Sequence, residues 1–154
     1  MKKALVLIGC PEAPAQTAIT IYTSYILKEK GYEVIISANP AASKLLKVSD
    51  PENQYIDKIV NIDSFIDKLD DEDFDLLVGI IHKDAAVQYY VTYYHMLNIK
   101  SLAVIFQKEQ ELVDDFVQQV DENTGSDIIA SRAYHNPTPI RVQLDRYVKD
   151  LEDE

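Results

Sequence analysis

Four side chains at the ends of apolar runs could do chemistry: Cys10, Glu12, His82 and Asp84. Cys10 closes the run Ala4-Leu5-Val6-Leu7-Ile8 just before a helical pattern. A thiol at a helix N-terminus can be a nucleophile, because the helix favours the thiolate. Glu12 and burial oppose that shift. The alternative is a small apolar residue that ends a strand. The four could also approach a metal, but none of their spacings is that of a structural zinc site. No metal is expected. His82 reads equally as a loop residue and Asp84 as a helix cap. His95 falls on a helical pattern and His135 in a loop beside Asn136, and both read as hydrogen-bonding side chains. The run Asp70-Asp71-Glu72-Asp73 lacks the glycine of a calcium loop and reads as a solvated turn.

Phosphate chemistry is disfavoured at the first turn. It reads Gly9-Cys10-Pro11-Glu12-Ala13-Pro14, not G-x-G-x-x-G. Pro11 and Pro14 remove two backbone donors, and Glu12 places a negative charge where a phosphate would sit. No P-loop pattern occurs, and the cobalamin-carrying D-x-H-x-x-G is absent. NAD, FAD and ATP in their usual modes are therefore not expected, and no cofactor is assigned.

The elements that must position these residues alternate along the chain. Strand Ala4–Ile8 leads to a helix from about Ala13 to Lys30. Pro14 suits its first turn and Gly31 the left-handed position past its end. Strand Glu33–Ala38 follows, then Asn39-Pro40 and a short helix, Ala41–Val48. The run Ser49–Asn53 is a loop. Lys58–Ile62 reads as a short edge strand, and Asp63 or Ser64 caps a helix to Leu69. Asp75–Ile81 and Ser101–Phe106 are apolar enough to be central parallel strands. Between them Asp84 caps a helix reaching Asn98. Glu109–Asp121 is an amphipathic helix and Asp127–Ser131 the last strand. Thr138 as cap and Pro139 at the first position open the final helix.

This βαβαβαβαβαβα alternation predicts one α/β domain over all 154 residues, a three-layer α/β/α sandwich with a Rossmann-like, mostly parallel sheet. Six strands in the order 3-2-1-4-5-6 are the first expectation. A five-strand 2-1-3-4-5 core is the second. Ligands of such sheets bind beyond the carboxyl ends of the strands where the order reverses. That places Cys10, Pro11 and Glu12 opposite His82, Lys83 and Asp84, with Asn39 and Gln107 at the rim.

Charge narrows the partners. The 26 acidic and 15 basic side chains leave a net −11, which disfavours nucleic acid and anionic membranes. A single cysteine allows no internal disulfide, so a reducing cytoplasm is the default. The N-terminal apolar run is too short for a secretory signal, and polar residues interrupt the uncharged first helix too often for a membrane span. Fifteen uncharged residues, Ala13–Leu27, exceed what one buried stripe needs, so this helix is expected to be covered on more than one side. A homodimer is also expected. On the helix Ala85–Leu97, Val87, Tyr90, Val91 and Tyr94 form the stripe that packs on the sheet. Tyr89, Tyr93, Met96 and Leu97 are left for an interface.

Six motifs carry a resemblance across almost the whole chain: G-C-P-E-x-P at 9–14, K-E-K-G-Y-E-V at 28–34, A-N-P-A-A at 38–42, D-P-E at 50–52, K-D-A-A at 83–86 and H-N-P-T-P at 135–139. The chain resembles a small archaeal family, typical of methanogens and of unknown function. The resemblance implies one α/β/α domain in an archaeal cytoplasm and brings no catalytic residues. More distantly, the first β-α-β unit is similar to DsrE-type sulfur-relay proteins and cobalamin-binding domains, a likeness generic to the architecture. The leading functional expectation is a protein that holds a small metabolite or partner group in its crevice without established catalysis. The alternatives are a sulfur carrier or enzyme using Cys10, and an accessory subunit acting through protein contacts.

Overall fold

In the computed structural model, which describes residues 1–151, twelve elements alternate strictly. They are β1 (Lys2–Ile8), α1 (Ala15–Glu29), β2 (Tyr32–Ala38), α2 (Pro40–Ser49), β3 (Lys58–Asn61), a 3-10 helix (Ser64–Asp71), β4 (Leu76–Ile81), α3 (Asp84–Leu97), β5 (Lys100–Gln107), α4 (Gln110–Asn123), β6 (Asp127–Arg132) and α5 (Thr138–Lys149).

The strands form one parallel sheet in the order β3-β2-β1-β4-β5-β6, the first of the two expected orders. Side chains alternate between two cores. Ala4, Val6 and Ile8 join Val78, Ile80 and Val104 beneath α1, α2 and α5. Leu5 and Leu7 join Leu77, Ala103 and Ile105 beneath the 3-10 helix, α3 and α4. Burial on both faces is why these strands read as continuous apolar runs. The order reverses between β1 and β4, whose register runs from Ala4 opposite Leu76 to Ile8 opposite Ile80.

Several helix ends differ from expectation. Asp84 is not the cap of α3; Lys83 is, with no side-chain cap bond, and Asp84 is the first helical residue. Its carboxylate lies 3.4 Å from the amide of Gln119 on α4. Thr138 is likewise the first residue of α5, after Pro137. Asp63 stands at the cap position of the helix after β3, as expected, but makes no side-chain cap bond. Asn61 Oδ1 instead accepts from the Asp63 and Ser64 N–H groups at 2.9 and 3.1 Å, and that helix is 3-10 in geometry. Asn39 does cap α2, accepting from Ala42 N–H at 2.8 Å, and Gly31 takes φ +103° past the end of α1.

The apolar stripe of α3 is rotated from the expected one. Its buried residues are Ala86, Val87, Tyr90 and Tyr93. Tyr93 is therefore interior, not an interface residue. Its hydroxyl donates to Ile62 O at 2.7 Å and lies 3.0 Å from Ser37 Oγ, which satisfies the phenol without solvent. Tyr94 is half-buried and accepts from Gly125 N–H. Tyr90 fits because Gly79 beneath it has no side chain: a Cβ there would lie 2.1 Å from the ring. Of the expected interface set, Met96 is exposed, Leu97 packs partly on the core, and Tyr89 lines the crevice. No helix of the described chain is long and apolar enough to cross a membrane.

Candidate functional site

A cavity of about 230 Å³ opens at the carboxyl edge of the sheet where the strand order reverses. Its wall draws on the ends of four strands and the first turns of one helix. Gly9 and Cys10 follow β1, Asn39 follows β2, Ile62 follows β3, and His82 and Lys83 follow β4. Ala85, Ala86 and Tyr89 come from α3. Of the eight residues named from sequence, Cys10, Asn39, His82 and Lys83 share this wall. Pro11, Glu12, Asp84 and Gln107 stand outside it.

His82 is the most constrained of the wall residues. It is buried, its ring stacks on Phe106 at 5.5 Å, and its Nε2 accepts the backbone N–H of Ala13 at 3.2 Å. An accepting Nε2 puts the proton of the neutral ring on Nδ1, which is buried and has no hydrogen-bond partner among the described residues. Burial and the neighbouring Lys83 charge lower its pKa from 6.5 to about 4, against a smaller opposing pull from Glu12. His82 is thus neutral at physiological pH. Gln107 lies behind it, its amide donating to His82 O at 3.0 Å.

Lys83 is paired with Glu12 at the rim. The hydrogen bond and charge of Lys83 hold the Glu12 carboxyl below its usual range, and Glu12 holds the ammonium above its own. The Cys10 thiol is exposed and accepts from Asn39 Nδ2 at 3.3 Å. With His82 bound to Ala13, Glu12 to Lys83 and Asp84 turned toward α4, the four possible ligands do not converge. No group of three or more His, Cys, Asp or Glu among the described residues could hold a metal ion.

The two helices that follow β1 and β4, on either side of the reversal, differ. The N–H groups that could cradle a phosphate at α1 are spent internally: Ala13 on His82, Ala15 on Tyr134 O at 2.9 Å, and Gln16 on Ala13 O at 3.0 Å. Pro14 has none. At α3 no side chain caps the first turn, and Ala85 and Ala86 of that turn line the cavity. Ile62, Ala85, Ala86 and Tyr89 were missed as site residues. Ile62 and Tyr89 become neighbours only through the β2–β3 pairing. For Tyr89 the signal in sequence is the missing charge on α3 from Ala85 to Leu97, which reads there as an interface.

Residues 5–147 match the family described as Domain of unknown function (DUF1890). The chain belongs to this family. A relative, Uncharacterized protein MJ0452 of Methanocaldococcus jannaschii, is 37% identical over 153 residues, spanning 98% of this chain and 100% of its own. The solved structure of MT0777 superposes with a TM-score of 0.95 at 42% identity, covering 99% of this chain and 100% of that one. Further away, the crystal structure of phenylacrylic acid decarboxylase from Aquifex aeolicus gives a TM-score of 0.58 at 12% identity, covering 100% and 99% of the two chains. At that identity the likeness is one of fold alone. The family of unknown function with an archaeal relative, expected from the sequence, is the one the comparisons show.

Proposed function

We propose that this DUF1890 protein binds a small metabolite, or a small group presented by a partner, in the β1–β4 crevice. The observation that carries the reading is the cavity itself: four strand ends and α3 build one concave wall at the strand-order reversal. Its volume of about 230 Å³ suits a compact molecule rather than a dinucleotide. The start of α3, whose N–H groups no side chain caps and whose Asp84 is turned toward α4, and Lys83, shared with Glu12, favour a hydrogen-bond acceptor at one end of the ligand. Ile62, Ala86 and Tyr89 favour an apolar body at the other.

A thermal-shift screen of small carboxylate-bearing metabolites tests this, since a ligand of the native state raises Tm. The expected result is a compound that raises Tm for the native chain and does so less for Ala85→Trp, which fills the cavity. If every such compound is inert, or the filled variant responds equally, the reading fails. A second reading uses Cys10 as a sulfur carrier or nucleophile. It is favoured by the exposed thiol on the cavity wall and its contact with Asn39.

A further inference from the structure

The exposed apolar side chains of this molecule are gathered on one layer. Seven large apolar residues are exposed among the described residues. Five of them, Tyr25, Leu45, Val48, Tyr55 and Val142, lie on α1, α2 and α5 or on the loop packed against α1. The face is shaped as well as apolar. Ala18, Ile21, Tyr22, Tyr25 and Tyr55 line an open groove of about 350 Å³. Tyr25 stacks edge-on against Tyr55 at 5.8 Å and lies 6.1 Å from Tyr22, so the aromatic rim is held in place.

Charge separates the two helical layers. Helices α1, α2 and α5 carry six basic side chains against two acidic ones, Glu29 and Asp145. The loop that brings Tyr55 adds Asp50, Glu52 and Asp57, of which Asp50 is buried and Asp57 is paired with Lys28. On the opposite layer the 3-10 helix, α3 and α4 carry nine acidic side chains against one basic one, Lys68. In a chain of net −11, the apolar groove thus sits on the layer whose helices carry an excess of basic side chains. Lys28 is paired with Asp57, and Arg141 with Asp145, the latter guanidinium lying 5.4 Å from the Tyr22 ring centre. Lys44, Lys47 and Arg146 have no ion pair among the described residues.

We infer that the α1–α2–α5 layer is a docking face for a protein partner that presents acidic side chains around an apolar anchor. The groove takes an inserted side chain, and Lys44 and Lys47 on α2, which packs against α1, offer the acidic rim charge that is unpaired among the described residues. Tyrosine-rich, concave centres with a charged rim are what protein interfaces use. A second copy placed two-fold across this face would set basic against basic. A copy placed head to tail would leave the contact open-ended. The net −11 of the chain disfavours an anionic bilayer as the occupant. The uncharged run of α1 has its reason here: its second side meets the partner.

The test uses the full chain immobilised against a displayed library of random peptides, with mixed phosphatidylcholine–phosphatidylglycerol vesicles and sedimentation of the chain alone as parallel arms. Selected peptides should be rich in Asp and Glu around a large apolar residue. Their binding should weaken as salt rises. It should fall roughly tenfold or more in Tyr25→Glu and in the Lys44→Glu/Lys47→Glu double variant. Val48→Glu, altering a side chain 77% exposed, gives a second disruption that leaves the core untouched. Basic or unpatterned peptides, binding indifferent to these variants, capture by vesicles, or self-association abolished by Tyr25→Glu would each overturn the inference. The crevice ligand plays no part in these readouts.

Discussion

The imidazole Nε2 of His82 accepts the backbone N–H of Ala13 at 3.2 Å, and this bond ties the loop after β4 to the turn before α1. It also fixes the histidine as neutral and removes a backbone donor from the turn where related folds bind phosphate.

Burial of His82, aided by the Lys83 charge, makes stability depend on pH in a defined window. The folded-state pKa of His82, about 4, lies below its unfolded value of 6.5. As pH falls, the unfolded chain takes up the proton first. The His82 contribution is therefore complete above about pH 6.5 and is lost between there and pH 4. The loss across that window should be about 3 kcal/mol. Urea unfolding at a series of pH values should show this slope, and His82→Gln should flatten it.

Gly79→Ala should destabilise the fold although it lies in a regular strand. The added Cβ would meet the buried Tyr90 ring at 2.1 Å, and neither side of that contact can move freely. A cost of roughly 1–3 kcal/mol is expected from overpacking. The double variant Gly79→Ala/Tyr90→Phe should not recover it, because the ring itself is what clashes.

Tyr93→Phe should lose about 1 kcal/mol, since the hydroxyl bonds Ile62 O and Ser37 without solvent. Tyr93→Glu should unfold the chain rather than alter its association state. Circular dichroism and sedimentation on the same sample separate these outcomes.

Cys10 should alkylate within roughly threefold of a free thiol at the same pH. His82 cannot serve it as an imidazolium partner, because that ring is neutral and its Nε2 is held by Ala13. A persulfide trapped by mass spectrometry, or much faster alkylation, would favour the sulfur-carrier reading.

The sheet was legible in sequence because its strands are buried on both faces. The runs from Ala4, Leu76 and Leu102 could hardly be anything else. The strand order followed from the short, half-buried Lys58–Asn61 segment, which belongs at an edge. What sequence hid was the direction in which helices face. Tyr93 reads as amphipathic surface until Ile62 O and Ser37 appear beside its hydroxyl, and those partners come from distant segments. Gly79 was the available clue: a glycine inside a strand marks a close approach, here that of Tyr90. The caps at Asp84 and Thr138 failed because the backbone entered helix one residue early at each, a shift that propensity does not resolve. Asp50 shows the same limit. Burial pushes its carboxyl up, but three backbone N–H groups and Lys28 outweigh that and hold it below the usual range, so the apparent surface loop is an anchored one.

The central claim is that a ligand sits at the start of α3 and not at the start of α1. Amide chemical-shift mapping of the full chain with the compound that most raises Tm reads this directly. The account predicts the largest shifts at Ala85, Ala86 and Gly9, with Ala13 and Ala15 moving little because their N–H groups are already bonded. Largest shifts at Ala13–Gln16, or in the Tyr22–Tyr25 groove, would contradict it.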